Sequence, residues 1–187
     1  MESKVCSFFG HRTIQDKEKI IDFLKEKIKN LIVNFGVNTF LFGSRSEFDT
    51  LCHSIVTDLK EKYPHIKRIS YTCRSECATL EKEKKYLEEI YSTFHKQKVT
   101  LLGFEKEHEH KTKWNSGRAS YVKRNQAMID DSDYCIFYYD ENYKPEMRKY
   151  SKQSFCNYQP KSGTALAYKY AKQKKKNIVN IFNTKCF

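Results

Sequence analysis

Short apolar runs alternate with longer amphipathic stretches along the chain. The runs at 4–9, 38–42, 67–72, 134–139 and 177–182 predict buried strands, and 99–104 predicts a further strand or an extended edge. Helical spacing falls between them, at 16–33, after Ser46, at 80–95, at 116–131 and at 163–175. Strands that are apolar throughout are typical of a parallel sheet covered on both faces. The sequence therefore predicts a Rossmann-like three-layer α/β sandwich with a mostly parallel sheet of about five strands.

The stretch that follows Ser46 has the clearest helical periodicity. Its apolar residues recur at i, i+3, i+4, i+7, i+8 and i+11, which places them on one face of a helix. They are Phe48, Leu51, Cys52, Ile55, Val56 and Leu59. Ser46 stands at the position of an N-cap, so we expect the helix to begin directly after it.

The chain is basic and has the length of one domain, which we place at 1–187. It has 187 residues, 35 Lys+Arg against 23 Asp+Glu, and a formal net charge of +12. Such a charge favours a nucleotide, a nucleic acid or an acidic protein as partner. Much of the excess lies in runs on predicted helix faces, where it equally serves solubility. No apolar run approaches the roughly 20 residues that span a membrane, and the N-terminus does not resemble a signal peptide. We expect a soluble cytoplasmic protein without a membrane partner.

The cysteines are expected to be reduced thiols. There are seven, an odd count without a secretion signal, which argues against a disulfide framework. Cys135 lies inside an apolar run and is predicted to be a core residue. Cys73 with Cys77 and the Glu-His-Glu-His run at 107–110 suggest a metal site, but a zinc site needs a second compact ligand pair. We therefore expect buried thiols, a solvated loop at 107–110, no metal and no cofactor.

Glycines follow the predicted strands or open a helix, which marks one edge of the sheet. Parallel strands share the edge at their carboxyl ends, and glycines there let backbone amides approach a ligand. Helix N-termini at the same edge favour phosphate. Glycines at these positions can equally be plain turn residues, and His11 can cap the first helix instead of binding a phosphate or a base. The candidate ligand-binding residues are Gly10, His11, Arg12, Gly43, Ser44, Arg45, Ser46, Ser162, Gly163 and Thr164.

Four segments in this order resemble a known family. They are Phe9-Gly10-His11-Arg12, Gly43-Ser44-Arg45-Ser46-Glu47-Phe48-Asp49, Arg124-Asn125-Gln126-Ala127-Met128 followed by Asp131-Ser132-Asp133, and Ser162-Gly163-Thr164 with Tyr170-Ala171. Together they resemble the YpsA-like branch of the SLOG superfamily (Smf/DprA and LOG). The resemblance spans nearly the whole chain and implies a single Rossmann-type nucleotide-binding domain.

The resemblance also implies candidate catalytic residues. LOG enzymes hydrolyse the N-glycosidic bond of nucleoside 5′-monophosphates, and Arg124 with Met128 reproduces their arginine–x3–methionine element. Ala167 stands where their glutamate would be, although an oxocarbenium-like transition state needs a nearby carboxylate. Glu47 or Asp49 is a possible substitute, and either can equally be an ordinary carboxylate favoured at a helix N-terminus. The candidate catalytic residues are Glu47 and Arg124, and Asp49 and Asn125 join the candidate ligand-binding residues.

Three functions follow as hypotheses. The first is a nucleotide-binding protein that senses, sequesters or processes a nucleotide-derived ligand, as in bacterial or phage conflict signalling. The second is a LOG-like N-glycosidase, and the third is single-stranded nucleic-acid binding of the DprA type. By analogy with LOG proteins we expect a homodimer. The polar stretch at 140–161 is a possible lid or insertion, and its aromatic residues are candidates for stacking on a base.

Overall fold

The computed structural model describes residues 3–15, 17–43, 46–73, 106–110, 118–149, 157–158 and 160–182. The helices in these ranges are α1 (Lys17–Phe35), α2 (Glu47–Lys62), α3 (Arg118–Asp130) and α4 (Gly163–Gln173). The strands are β1 (Lys4–Gly10), β2 (Val37–Phe42), β3 (Lys67–Cys73), β4 (Lys106–His110), β5 (Tyr134–Tyr138), β6 (Arg148–Lys149), β7 (Asn157–Tyr158) and β8 (Asn177–Asn180).

The main sheet in the described residues has six strands in the order β4-β3-β2-β1-β5-β8, and every neighbouring pair is parallel. Ser7 of β1 lies between Leu41 of β2 and Cys135 of β5. From β1 the chain builds outward through β2 and β3, and it later adds β5 on the opposite side of β1. This reversal is a topological switch point, beyond which parallel α/β sheets form their ligand crevice. The predicted α/β sandwich is confirmed.

Helices cover both faces of the sheet, and alternate strand residues supply the two cores. One core joins α1 and α2 to Phe8, Phe40 and Ile136. The other joins α3 and α4 to Phe9 and Phe137, which point to the opposite face. This alternation follows from the two-residue period of a strand that is buried on both sides. It explains why these strands are apolar throughout.

The strand β4 corrects the prediction for residues 107–110. These residues were expected in a solvated loop, but their backbone pairs with β3 in parallel, Tyr71 beside His108. In the described part of the sheet β4 pairs with a neighbour on one side only, and such an edge strand accepts charged residues that interior strands exclude. Apolar periodicity therefore does not detect it. The predicted helix at 80–95 and the predicted strand at 99–104, which contains Gly103, lie outside the described residues.

The thiols that the structure describes are buried and free of disulfides. They belong to Cys6, Cys52, Cys73 and Cys135. Cys135 has no exposed surface, as predicted for a core residue, and burial raises its pKa to about 11. Within the ranges given above, no group of three or more His, Cys, Asp or Glu residues is arranged to hold a metal ion. Cys77 lies outside those ranges.

None of the described helices combines the length and the apolar character needed to cross a membrane. In the predicted lid or insertion at 140–161, Arg148–Lys149 and Asn157–Tyr158 form the two-residue antiparallel ladder of β6 and β7.

Candidate functional site

A hydrogen bond links the carboxyl end of β1 to the N-terminus of α4. The hydroxyl of Thr164 donates a hydrogen bond to the carbonyl oxygen of Gly10 at 2.9 Å. Ser162 is the N-cap of α4, and its side chain accepts from the amide of Ala165 at 3.4 Å. The first two amides of α4, at Gly163 and Thr164, have no carbonyl one turn earlier to bind within the helix. A Cβ atom added to Gly163 would meet nothing within 4 Å, so the space beside this residue is open.

The first turn of α2 packs against the same end of β1. A Cβ atom on Gly10 would lie 2.5 Å from Cγ of Phe48, so only glycine allows α2 to come this close. The carbonyl of Arg12 accepts from the amide of Glu47 at 3.0 Å. Ser46 is the N-cap, as predicted, and accepts from the amide of Asp49 at 3.2 Å. Two amides at the start of α2 are therefore already bound within the protein.

His11 is buried directly after Gly10, with 3% of its surface exposed. Its Nε2 atom accepts from the amide of Asp140 at 2.9 Å, just beyond the end of β5. Its ring stacks on Tyr143 with centroids 3.9 Å apart and planes 28° from parallel. Burial lowers the pKa of His11 from 6.5, and the neighbouring Asp140 acts in the opposite direction without overcoming it. His11 is therefore neutral at pH 7 and joins the ends of β1 and β5.

The candidate catalytic residue Glu47 uses both of its carboxylate oxygens for structure. Oε2 accepts from the amide of Ile14 and Oε1 pairs with Nζ of Lys17, each at 2.9 Å. The hydrogen bond from Ile14 and then that from Lys17 lower the pKa of Glu47. Each oxygen already accepts one hydrogen bond, so fewer lone pairs remain to activate a water molecule or to stabilise a cationic transition state. In this structure Glu47 orders the segment between β1 and α1.

Arg124 and Met128 lie side by side over the end of β2. A Cβ atom on Gly43 would lie 3.0 Å from Nε of Arg124 and 3.2 Å from Cε of Met128. Arg124 is only 3% exposed, and its guanidinium lies over the ring of Tyr121 at 5.5 Å. Gly43 thus provides the space that a buried cation needs at the carboxyl edge of the sheet.

The structure describes only some of the remaining candidate residues. Asn125 accepts from Nη2 of Arg124 at 3.1 Å, which holds the guanidinium. Asp49 is buried in the first turn of α2, whereas Arg12 is exposed at the surface. Ser44 and Arg45 lie outside the described residues. Because β1 and β2 are neighbouring parallel strands, Gly10 at the end of β1 and Gly43 directly after β2 lie at the same carboxyl edge of the sheet.

Sequence reasoning missed Asn180, which fixes the exit from β5. Its side chain accepts from the amide of Tyr139 at 3.0 Å and donates to the carbonyl of the same residue at 2.9 Å. It thereby continues the ladder of β5 and β8 beyond the last paired residues, Phe137 and Asn180. No local signal identifies it, because its partner is 41 residues away. For Tyr143, the only signal was its membership of an aromatic-containing polar stretch.

The fold and this edge define a Rossmann-like α/β protein in which the N-terminus of α4 lies at a topological switch point. The family model described as the YspA SLOG family matches residues 7–174, and the chain belongs to that family. Membership supports nucleotide binding or processing at the level of the superfamily. No curated protein matches the chain.

Proposed function

We propose that this protein binds a nucleotide or a nucleotide-derived phosphate ester at the carboxyl edge of β1 and β5, and that it senses or sequesters this ligand. The observation that carries the proposal is the hydrogen bond from Thr164 to Gly10. It fixes the N-terminus of α4 at the switch point, where helix amides favour a phosphate group. The buried guanidinium of Arg124 adds a positive charge at the same edge.

Two features favour binding over hydrolysis. Ala167 stands where LOG enzymes have their glutamate and carries no carboxylate. It is 3% exposed and packs into the core between α4 and the sheet. The oxygens of Glu47 are held by Ile14 and Lys17. Binding a ligand without hydrolysing it requires no acid or base at position 167 or at Glu47.

The test is isothermal titration calorimetry of the purified protein with the four ribonucleoside 5′-monophosphates, ribose 5-phosphate and inorganic phosphate. Mass spectrometry of small molecules released by heat adds ligands that copurify. We expect saturable binding of at least one phosphate ester, weakened by Arg124→Ala. Lys67→Ala, at the opposite end of the sheet, removes one positive charge as a control and should leave binding unchanged. Absence of binding across the panel, with no released ligand, would refute the proposal.

A second candidate is an N-glycosidase that releases the base from a nucleoside monophosphate. Its supporting observation is the packing of Arg124 and Met128 over Gly43, which keeps the arginine–x3–methionine element together at the sheet edge. Asp49, buried in the first turn of α2, is the carboxylate that remains as an alternative to Glu47. Chromatography of the reaction mixture should then reveal free base, and its release should disappear in Arg124→Ala. Intact nucleotide after prolonged incubation at high protein concentration would exclude this activity.

A further inference from the structure

The imidazole of His11 is held in one tautomer by the backbone. Its Nε2 atom accepts from the amide of Asp140, and an amide N–H group only donates. The proton of the neutral ring therefore sits on Nδ1. Among the described residues, this buried Nδ1 atom has no hydrogen-bond partner. His11 thus provides a hydrogen-bond donor that the described part of the protein does not use.

The surroundings of His11 are aromatic rather than polar. The ring of Tyr143 stacks on it, and the rings of Tyr138 and Tyr139 lie 6.3 and 6.0 Å away. Aromatic faces replace a carbonyl or carboxylate acceptor poorly, so the unpaired donor costs free energy. A ligand that brings an acceptor to Nδ1 removes this cost.

A tight turn positions Tyr143. Its amide donates to the carbonyl of Asp140 at 3.2 Å, and the amide of Asn142 donates to the Asp140 carboxylate at 2.9 Å. Asp140 therefore fixes both the tautomer of His11 and the turn that carries Tyr143. Tyr143 is partly exposed.

Resting on the proposed function, we propose that His11 and Tyr143 form a base-recognition subsite for a nucleoside phosphate. Nδ1–H of His11 donates to a nitrogen or oxygen acceptor on the edge of the base, and Tyr143 stacks on the face of the base. A base hydrogen-bonded edge to edge with the imidazole lies near the imidazole plane. The ring of Tyr143 is within 28° of that plane, so a short slide brings it over the base.

This arrangement also orients the ligand. Gly10 precedes His11 and binds Thr164 in the first turn of α4, so the base subsite adjoins the amides proposed for the phosphate. The ligand is then recognised at both ends, and ribose 5-phosphate lacks the group that His11 and Tyr143 bind.

Calorimetry with Tyr143 variants tests the subsite. Tyr143→Ala should weaken the binding of a ribonucleoside 5′-monophosphate by about 5- to 150-fold, as expected for the loss of one base–aromatic stack. Tyr143→Phe keeps the stacking face and should bind as the wild type does. Binding of ribose 5-phosphate should be the same in all three proteins. Equal weakening of both ligands, or of neither, would overturn the subsite.

His11→Met provides an independent test, because the thioether sulfur can still accept weakly from the Asp140 amide but offers no donor in place of Nδ1–H. It should weaken the nucleotide and leave ribose 5-phosphate unchanged. Weakening of both ligands would mean that His11 binds the phosphate, and the base subsite would be wrong. If the wild type binds neither ligand, the proposed function itself fails. If it binds both and the variants change nothing, only the subsite fails.

Nitrogen-15 spectra of the histidine rings report the tautomer directly. In the free protein we expect the proton of His11 on Nδ1, and the Nδ1–H signal should shift when the nucleotide is added but not when ribose 5-phosphate is added. A proton on Nε2 would contradict the assignment on which the subsite depends.

Discussion

The hydroxyl of Thr164 donates to the carbonyl of Gly10 across 154 positions of sequence, at a distance of 2.9 Å. The bond joins the first turn of α4 to the last residue of β1. Because β1 is the strand at which the sheet order reverses, the bond places a helix N-terminus at the switch point. The contact links the first turn of α4, with the amides of Gly163 and Thr164, to the end of β1.

Replacing Thr164 by valine should weaken both the fold and the ligand site. The valine keeps the shape but removes the donor, so the partly buried carbonyl of Gly10 loses its partner. We expect a loss of about 1 kcal/mol in the free energy of unfolding, measured with urea, and weaker binding of ribose 5-phosphate. Thr164→Ser keeps the hydroxyl and should retain binding. Wild-type binding by the valine variant would show that this bond does not position α4 for the ligand.

Gly43→Ala should be clearly more destabilising than Gly163→Ala. The added methyl group at Gly43 overlaps Met128 and approaches Arg124, which predicts a cost of about 1–3 kcal/mol from overpacking. At Gly163 the methyl group meets nothing, and alanine in a helix gains a few tenths of a kcal/mol or more. Urea unfolding of both variants measures the difference. Comparable stability of the two would contradict the close contact over β2.

The pH dependence of stability should contain a contribution from His11. Because burial holds the pKa of His11 below 6.5, His11 of the unfolded chain binds a proton at a higher pH than His11 of the folded protein does. The contribution of His11 to the free energy of unfolding is therefore at its maximum above pH 6.5 and decreases as the pH falls below 6.5. Asp140 is the charged neighbour that reduces the effect, and the rings of Tyr138, Tyr139 and Tyr143 face the same imidazole.

Urea unfolding of the wild type and His11→Gln, from about pH 7.5 to about pH 5.5, isolates this contribution. The variant differs from the wild type only at His11, so the wild type should lose more stability than the variant. The lowered pKa of Glu47 acts in the same direction but only at more acidic pH, below 4.5. An equal loss in both proteins would contradict the lowered pKa of His11.

Asn180→Ala should destabilise the protein more than Asn177→Ala. The side chain of Asn180 binds both backbone groups of Tyr139, whereas that of Asn177 donates one exposed bond to the carbonyl of Asp133. Loss of the Asn180 bonds should cost about 1–3 kcal/mol, and the Asn177 substitution much less. Amide hydrogen exchange should show faster exchange at Tyr139 only in the first variant. Unchanged protection there would mean that Asn180 does not hold the exit from β5.

Local sequence patterns predicted the parallel sheet, the helices on both faces and Ser46 as the N-cap of α2. Each depends on residues close together in the chain: an apolar run that suits a strand buried on both faces, a helical spacing, or a hydroxyl three residues before the amide it binds. The ordered motifs also indicated the family. The charged strand β4 escaped notice because its position at the sheet edge, rather than its apolar pattern, makes it a strand.

Only the tertiary structure decided what the candidate site residues contact. Gly43 is an ordinary turn glycine until α3 brings Arg124 and Met128 over it, and His11 acquires its tautomer from an amide 129 residues later. Glu47 is a catalytic candidate from the sequence, and in the folded protein its carboxylate contacts the amide of Ile14 and the side chain of Lys17. The local sequence of this protein therefore determined its helices and its apolar strands, since these follow from neighbouring residues, but not the charged strand β4. Folding determined the roles of the side chains at that edge, since hydrogen bonds and steric contacts form between groups that are distant in the chain.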